Sequence, residues 1–362
     1  MGVKEGGDKM PLESHSEARE SVYDWVRILA TFFVVVGHSA YVVMEVQYGR
    51  IDFLERVSEW SPVYYSSSLL QFFGRMAGWV YKFHMPLFFI LSGAVLRLKP
   101  IESIDLFCKR KFMRLVIPYY LCGLLFMIPM KYLGGFYSTE NLQPAFYHFW
   151  IGTDSGHLWF LLALFWCMVV FVLIHKLLIH LGCTSDTVRL MVCGVIQLFA
   201  NDMPIHVLKF HVGMRYIFWF ALGYYFAAAR KRQEKMHTVI LKFIVLSMVM
   251  IADEKCNLIY DKFVILAGSY WTYALALCLS KLLGVIERTV GYKIIVRNLF
   301  YIYLFHDPLE YVILRGFVHF NLPVYDWGVY LYLFCRIFGV IIISTVFGEL
   351  IRFFMIKRRK VV

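Results

Sequence analysis

Residues 23–39 read Tyr23-Asp24-Trp25-Val26-Arg27-Ile28-Leu29-Ala30-Thr31-Phe32-Phe33-Val34-Val35-Val36-Gly37-His38-Ser39. The stretch is mostly apolar and, with the residues after it, has the length of a membrane-spanning helix. Arg27 and His38 are eleven positions apart, which places them within about 20° of one helix face and ~16 Å apart along the axis. Because ionisable groups are costly inside a membrane, we interpret both as functional residues.

The whole chain has the composition of a membrane protein. Its 362 residues are 60% hydrophobic, with a mean hydropathy of +0.63, whereas soluble chains contain about 45–50% apolar residues. The formal net charge of +12 could suggest a nucleic-acid partner. The basic residues, however, lie in short clusters between apolar runs, as in cytoplasmic membrane loops, so we expect membrane lipids and no nucleic acid.

The eight cysteines have no metal-type spacing, and most lie inside apolar runs. We interpret them as small hydrophobic packing residues and expect no metal site.

Hydropathy and segment length predict an all-α, polytopic protein with about ten transmembrane helices. With the N-terminus inside, cytoplasmic segments hold 24 lysines and arginines and external segments hold 8, which favours two cytoplasmic termini. The predicted units are an N-terminal tail (1–22), a transmembrane domain (23–356) and a basic C-terminal tail (357–362). The spans are predicted at 25–44, 79–97, 115–133, 158–178, 188–200, 212–229, 238–252, 263–283, 297–314 and 328–350.

The first span holds the strongest candidates for chemistry. His38 lies past the midplane toward the outside, and an imidazole is a suitable general base for a hydroxyl group. The alternative is a buried histidine that bonds to a neighbouring helix. Arg27 is a candidate for holding an anionic donor, or else a snorkelling anchor, and Asp24 can pair with it three positions away. We take His38 and Asp24 as the catalytic candidates.

A basic loop precedes the third span. Arg110, Lys111 and Arg114 lie within five residues and could bind phosphate groups at the cytoplasmic face. The alternative is that these charges only set the topology of the chain.

Two further segments place polar residues inside predicted spans. His84 lies beside Pro86 in the second span, where a proline kink suits a cavity. His306 and Asp307 lie in the middle of the ninth span, next to Pro308, which interrupts the backbone hydrogen-bond ladder. We expect these residues to line a protein-enclosed cavity, where His84, His306 and Asp307 are candidates either for orienting His38 or for holding the acceptor.

Three residues at the outer ends of other spans complete the candidate substrate site. His157 could line the mouth of a cavity, and the neighbouring Trp159 could do the same or belong to the interfacial aromatic belt. Arg215 could hold a polar ligand or lie at the interface.

In their order along the chain, these segments resemble the acyltransferase-3 family of integral membrane acyltransferases. The resemblance covers nearly all of the chain beyond residue 20. The matching features are Asp24-x-x-Arg27 and Arg27-x10-His38 in the first span, Pro86 to Gly93, Lys111 and Arg114 leading into Pro118-Tyr119, His157 to Leu161, and Tyr303 to His306.

The resemblance implies transfer of an acyl group, usually acetyl, from cytoplasmic acyl-CoA to a hydroxyl of a cell-envelope sugar or lipid-linked glycan. It also implies that His38 is the key catalytic residue, as a base or as a group that is itself acylated, and that Arg27 and the loop arginines handle acetyl-CoA. A bacterial inner membrane is the expected location. Trp25 and Ile28 depart from the family, in which leucine and glycine are common there, and the chain is expected to resemble the stand-alone sugar O-acetyltransferases.

Two other functions fit some of the same features. Midplane histidines and basic cytoplasmic loops also suit a secondary transporter that exports an envelope glycan intermediate, although no inverted repeat is visible. The chain could also be a non-catalytic membrane partner in glycan assembly. Gly-x-Ser-x-Gly and His-Glu-x-x-His motifs are missing from the sequence, which disfavours a hydrolase or a metalloprotease.

Overall fold

The computed structural model describes residues 12–39, 43–46, 49–52, 67–229, 235–256, 261–320 and 326–359. Helices account for nearly all of these residues. The described part of the chain is thus all-α, as predicted, apart from one short antiparallel hairpin of β1 (Val43–Val46) with β2 (Gly49–Asp52).

The helices begin and end as follows. They are α1 (Leu12–Ser39), α2 (Ser68–Tyr81), α3 (His84–Arg97), α4 (Ile104–Leu133), α5 (Thr139–Trp150), α6 (Trp159–His180, after the 3-10 turn Gly156–Leu158), α7 (Asp186–Phe199), α8 (Phe210–Arg215, after the turn Val207–Lys209), α9 (Ile217–Ala229), α10 (Met236–Cys256), α11 (Asp261–Leu282), α12 (Val290–His319, after the turn Ile286–Arg288) and α13 (Asp326–Phe334, Cys335–Gly339 and Val340–Arg359 in succession).

Several of these helices have the length and hydropathy of membrane spans. Within the described part of the chain, four helical stretches are long and apolar enough to cross a membrane. The pair α2 and α3, bent by 47°, is a fifth candidate. Shorter apolar helices cover Ile217–Ala227 and Met236–Ile251. The four stretches are Ile104–Leu133, Gly156–His180, Lys262–Leu282 and Trp327–Met355.

A helix lies at each of the ten predicted positions. The number of membrane crossings, the cytoplasmic location of the termini and the three predicted units stay predictions. The second span differs most from expectation, since the chain bends between α2 and α3 immediately before His84.

The helix α1 is in contact with α2, α3, α11, α12 and the Cys335–Gly339 segment of α13. Its buried residues Val22, Val26 and Ala30 pack with Leu87 and Ala274 of α3 and α11. This packing turns one face of α1 into the protein core.

The helices α3 and α9 approach each other closely. A Cβ atom at Gly93 would overlap the backbone carbonyl of Phe220, and one at Gly223 would overlap that of Ile90. Small residues at crossing points allow membrane helices to pack backbone to backbone.

Prolines inside the helices are accommodated without breaks. In α4, the π-helical segments Phe112–Val116 and Gly123–Met127 lie just before Pro118 and Pro129. The helix α12 continues through Pro308, so the interruption predicted there is confined to the one backbone hydrogen bond that proline cannot donate.

Candidate active site

The carboxylate of Asp307 is the centre of the site. Its Oδ1 lies 3.0 Å from His38 Nδ1, and its Oδ2 lies 3.0 Å from both His157 Nδ1 and Lys131 Nζ. Asp307 is 3% exposed. Four parts of the chain thus meet at one carboxylate: α1, α4, the turn before α6, and α12.

Lys131 supplies the positive charge that this buried carboxylate needs. It is 3% exposed, and its ammonium also lies over the rings of Phe136 and Tyr311, at 4.6 and 4.9 Å from their centroids. A buried carboxylate is tolerable when it is paired in this way.

Pro308 helps to orient His157. Proline lacks the N–H that would bond to the carbonyl four residues earlier, which is Leu304. That free carbonyl lies 3.0 Å from His157 Nε2 and also accepts from Cys122 Sγ at 3.4 Å. The imidazole of His157 is therefore held between the Leu304 carbonyl and Asp307.

Gly156 permits the tight turn that presents His157. Its φ of +49° is a left-handed conformation that favours glycine. A Cβ atom there would lie 3.0 Å from Met127 Sδ and 3.1 Å from Lys131 Nζ.

His306 presents a free nitrogen lone pair. Its Nδ1 lies 3.1 Å from the Ile302 carbonyl and 2.8 Å from the Tyr303 carbonyl, so Nδ1 carries the proton and donates. Its Nε2 is buried and has no hydrogen-bond partner among the described residues. The ring contacts those of His38 and His157, with centroids 5.0 and 5.2 Å apart.

A cavity of about 500 Å³, here called the His38 cavity, adjoins this cluster. The candidate residues His38, His84, His157, Trp159 and His306 all line it. With Asp307 at its Nδ1, His38 is held in the tautomer whose Nε2 lone pair is free to act as a base.

A second cavity of about 320 Å³, here called the Arg27 cavity, adjoins the other part of α1. It is lined by four cations, Arg27, Lys99, Lys111 and Arg114. Because α1 is one continuous helix, Arg27 and His38 are ~16 Å apart along its axis.

Three aromatic side chains line both cavities: Phe88, Phe160 and Tyr303. The ring centroids of Phe88 and Phe160 are 5.5 Å apart, and those of Phe160 and Tyr303 are 5.8 Å apart. These three rings therefore form part of the wall of each cavity.

Three predicted site residues lie elsewhere. Asp24, a predicted catalytic residue, pairs with Arg27 at 2.9 Å, and the carboxylate beside His38 is that of Asp307. Arg110 is exposed, pairs with Glu102 and does not line the Arg27 cavity. Arg215 is exposed and lines neither cavity, although the next residue, Tyr216, lines the His38 cavity.

Sequence reasoning missed several charged residues. Lys131 was counted as an external loop charge, and Lys99 as a topology signal. The fully buried pair of Glu310 and Arg336, 3.0 Å apart, was not singled out. Glu310 lies one turn after Asp307 on an apolar helix, and that spacing was a signal that could have found it. Within the described part of the chain, no group of three or more histidine, cysteine or acidic side chains is arranged to hold a metal ion.

The family model described as an acyltransferase domain, that of acyltransferase-3, matches residues 21–349. The chain therefore belongs to the acyltransferase-3 family, as the sequence motifs predicted. Comparisons with curated proteins and with solved structures found no match. Together with the apolar helices, the family defines the protein as a membrane acyltransferase.

Substituting Pro308→Ala tests how the site is built. The new N–H can donate to the Leu304 carbonyl, so we expect a higher thermal unfolding temperature, since interior proline costs a helix about 3 kcal/mol. Acyl transfer should fall by roughly 100-fold. The Leu304 carbonyl would then accept from the backbone N–H of residue 308, so His157 would bond to it less well and move away from Asp307.

Thermal unfolding and transfer rate should both be measured in detergent, with Pro129→Ala in α4 as the matched control. Unchanged transfer by Pro308→Ala would contradict this role for the free carbonyl.

Proposed function

We propose that the protein transfers an acetyl or other short acyl group from cytoplasmic acyl-CoA to a hydroxyl of a cell-envelope sugar, either free or lipid-linked, in a bacterial inner membrane. The observation that carries this proposal is the contact between His38 and Asp307 at the wall of one cavity. A basic cavity adjoins the same helix further along, beside Arg27.

The Arg27 cavity suits the nucleotide end of coenzyme A. Its four cations can balance phosphate charges, and guanidinium groups bind phosphates in a bidentate manner. The ~16 Å between Arg27 and His38 is comparable to the reach of the pantetheine arm. The arm would pass between the rings of Phe88, Phe160 and Tyr303 to bring the thioester into the His38 cavity.

The His38 cavity suits a sugar acceptor. Aromatic walls with a few polar atoms are typical of small-molecule sites. Trp159 offers an apolar ring face, and the free Nε2 of His306 can accept a hydrogen bond from a sugar hydroxyl. His84 adds a further polar group at the wall.

His38 then acts as a general base. Its Nε2 takes the hydroxyl proton while the oxygen attacks the thioester carbonyl carbon, and Asp307 at Nδ1 stabilises the imidazolium that forms. The C–S bond breaks and the coenzyme A thiolate leaves. The proton then passes from His38 to this thiolate. The products are the sugar ester and free coenzyme A.

Membranes that contain the protein test the proposal when supplied with radiolabelled acetyl-CoA and extracted envelope glycans. We expect label on the glycan, and loss of about 10²- to 10⁴-fold in rate for His38→Ala because the base is removed. His180→Ala, an exposed histidine at the end of α6, is the control.

Wild-type rates in His38→Ala would end the catalytic proposal. Movement of unmodified glycan across the membrane, without label, would support the transporter instead.

Comparison of Asp307→Asn with Asp24→Asn decides which carboxylate serves His38. We expect Asp307→Asn to lower kcat by about 10³-fold or more, since the asparagine amide does not fix the tautomer of His38. Asp24 pairs with the partly exposed Arg27 in the part of α1 that is distant from His38, so its variant should change kcat by less than about fivefold. The kcat of each variant is measured as the rate of labelled transfer at saturating donor. A larger loss of kcat in Asp24→Asn than in Asp307→Asn would mean that Asp24 is the carboxylate that serves catalysis.

The donor site is tested with two neighbouring arginines. We expect Arg114→Ala to raise KM for acetyl-CoA about tenfold, because a charged hydrogen bond to phosphate is lost. Arg110→Ala should change this KM less than about twofold, since the side chain is exposed and paired with Glu102. Equal effects of the two variants would mean that general surface charge, and not the Arg27 cavity, attracts the donor.

A further inference from the structure

A buried arginine holds the end of α1 that carries His38. Arg336 and Glu310 are both 0% exposed. Arg336 donates to the Ser39 carbonyl at 2.8 Å, to the His38 carbonyl at 3.0 Å and to Glu310 Oε2 at 3.0 Å. It also bonds to the Tyr332 hydroxyl.

These contacts meet a need that α1 creates. The last four carbonyls of a helix lack intrahelical partners, and inside a membrane little water is present to satisfy them. A guanidinium can donate to two carbonyls at once, and its charge is favourable at the negative end of the helix dipole. Arg336 therefore caps α1 at His38 and Ser39.

The same guanidinium joins α1 to the helix that carries Asp307. Glu310 lies three residues after Asp307 on α12, so it occupies the next turn of the same helix. Arg336 itself lies in the π-helical segment Cys335–Gly339 of α13, and such segments occur often at functional sites.

We infer that Arg336 and Glu310 are positioning residues, which hold His38 at hydrogen-bonding distance from Asp307 during catalysis. This inference rests on the proposed function for its kinetic consequences. Its structural content, the distance between two side chains, is independent of the substrate.

The opposite possibility is that this ion pair only stabilises the bundle. Buried ion pairs can often be replaced by hydrophobic residues of similar volume with little or no loss of stability. A double replacement by methionine can therefore keep the fold and remove the cap on α1, which separates positioning from stability.

The chain offers a matched control. Arg297 and Glu349 form a second pair between α12 and α13, with Arg297 Nε 2.8 Å from Glu349 Oε1. Arg297 is exposed and lines neither cavity.

The experiment compares Arg336→Lys, the double variant Arg336→Met with Glu310→Met, and the control Arg297→Met with Glu349→Met. We expect the double variant at the buried pair to stay folded and to keep the KM for acetyl-CoA, with an unfolding temperature lowered only by the loss of the bonds to the two α1 carbonyls. Its kcat should fall about 100-fold, because displacement by about 1 Å costs that much. Arg336→Lys should lose part of this rate, and the control should keep wild-type kcat. Wild-type kcat in the folded double variant would overturn the inference.

A second measurement does not depend on activity. In protein labelled with 15N-histidine, the Nδ1 proton of His38 should show a hydrogen-bonded signal, assigned by its loss in His38→Gln. We expect this signal to disappear in the double variant at the buried pair and to persist in the control. Its persistence in the buried variant would overturn the inference, while a wild-type protein that shows the signal but transfers no acyl group would refute only the proposed function.

Discussion

The carboxylate of Asp307 joins the parts of the protein that form the candidate active site. It contacts His38, His157 and Lys131, each at 3.0 Å, from three different elements. A buried carboxylate is stable only with such partners, and removing one member of a buried pair typically costs about 3–5 kcal/mol. The carboxylate that contacts His38 therefore also fixes the packing of α1, α4 and the start of α6 against α12.

Irregular backbone makes this convergence possible. Pro308 leaves the Leu304 carbonyl free for His157, and Gly156 allows a left-handed turn close to Lys131. At the end of α1, Arg336 donates to carbonyls that no helix bond satisfies. Each feature would be costly in lipid on its own, and each is satisfied here by a group of the site.

The sequence predicted features that lie within a single element. The positions of the helices follow from hydropathy, and the shared face of Arg27 and His38 follows from helical periodicity. Contacts between side chains of different helices were harder to predict from the sequence. The pair of Asp24 and Arg27 follows from their spacing on one helix. Asp307 was one of three candidates for orienting His38, and the sequence could not select it, because it reaches His38 only through the packing of α12 on α1. Lys131 resembled an ordinary loop charge, because its burial depends on helices that are distant in sequence.

A double-mutant cycle between His38 and Asp307 is the most direct test of the central claim. It compares transfer rates of His38→Gln, Asp307→Asn and the two combined. If the two residues act as one unit, the combined variant should be no slower than His38→Gln alone. A rate loss in the double variant equal to the product of the two single losses would contradict the account, since it would mean that Asp307 acts independently of His38.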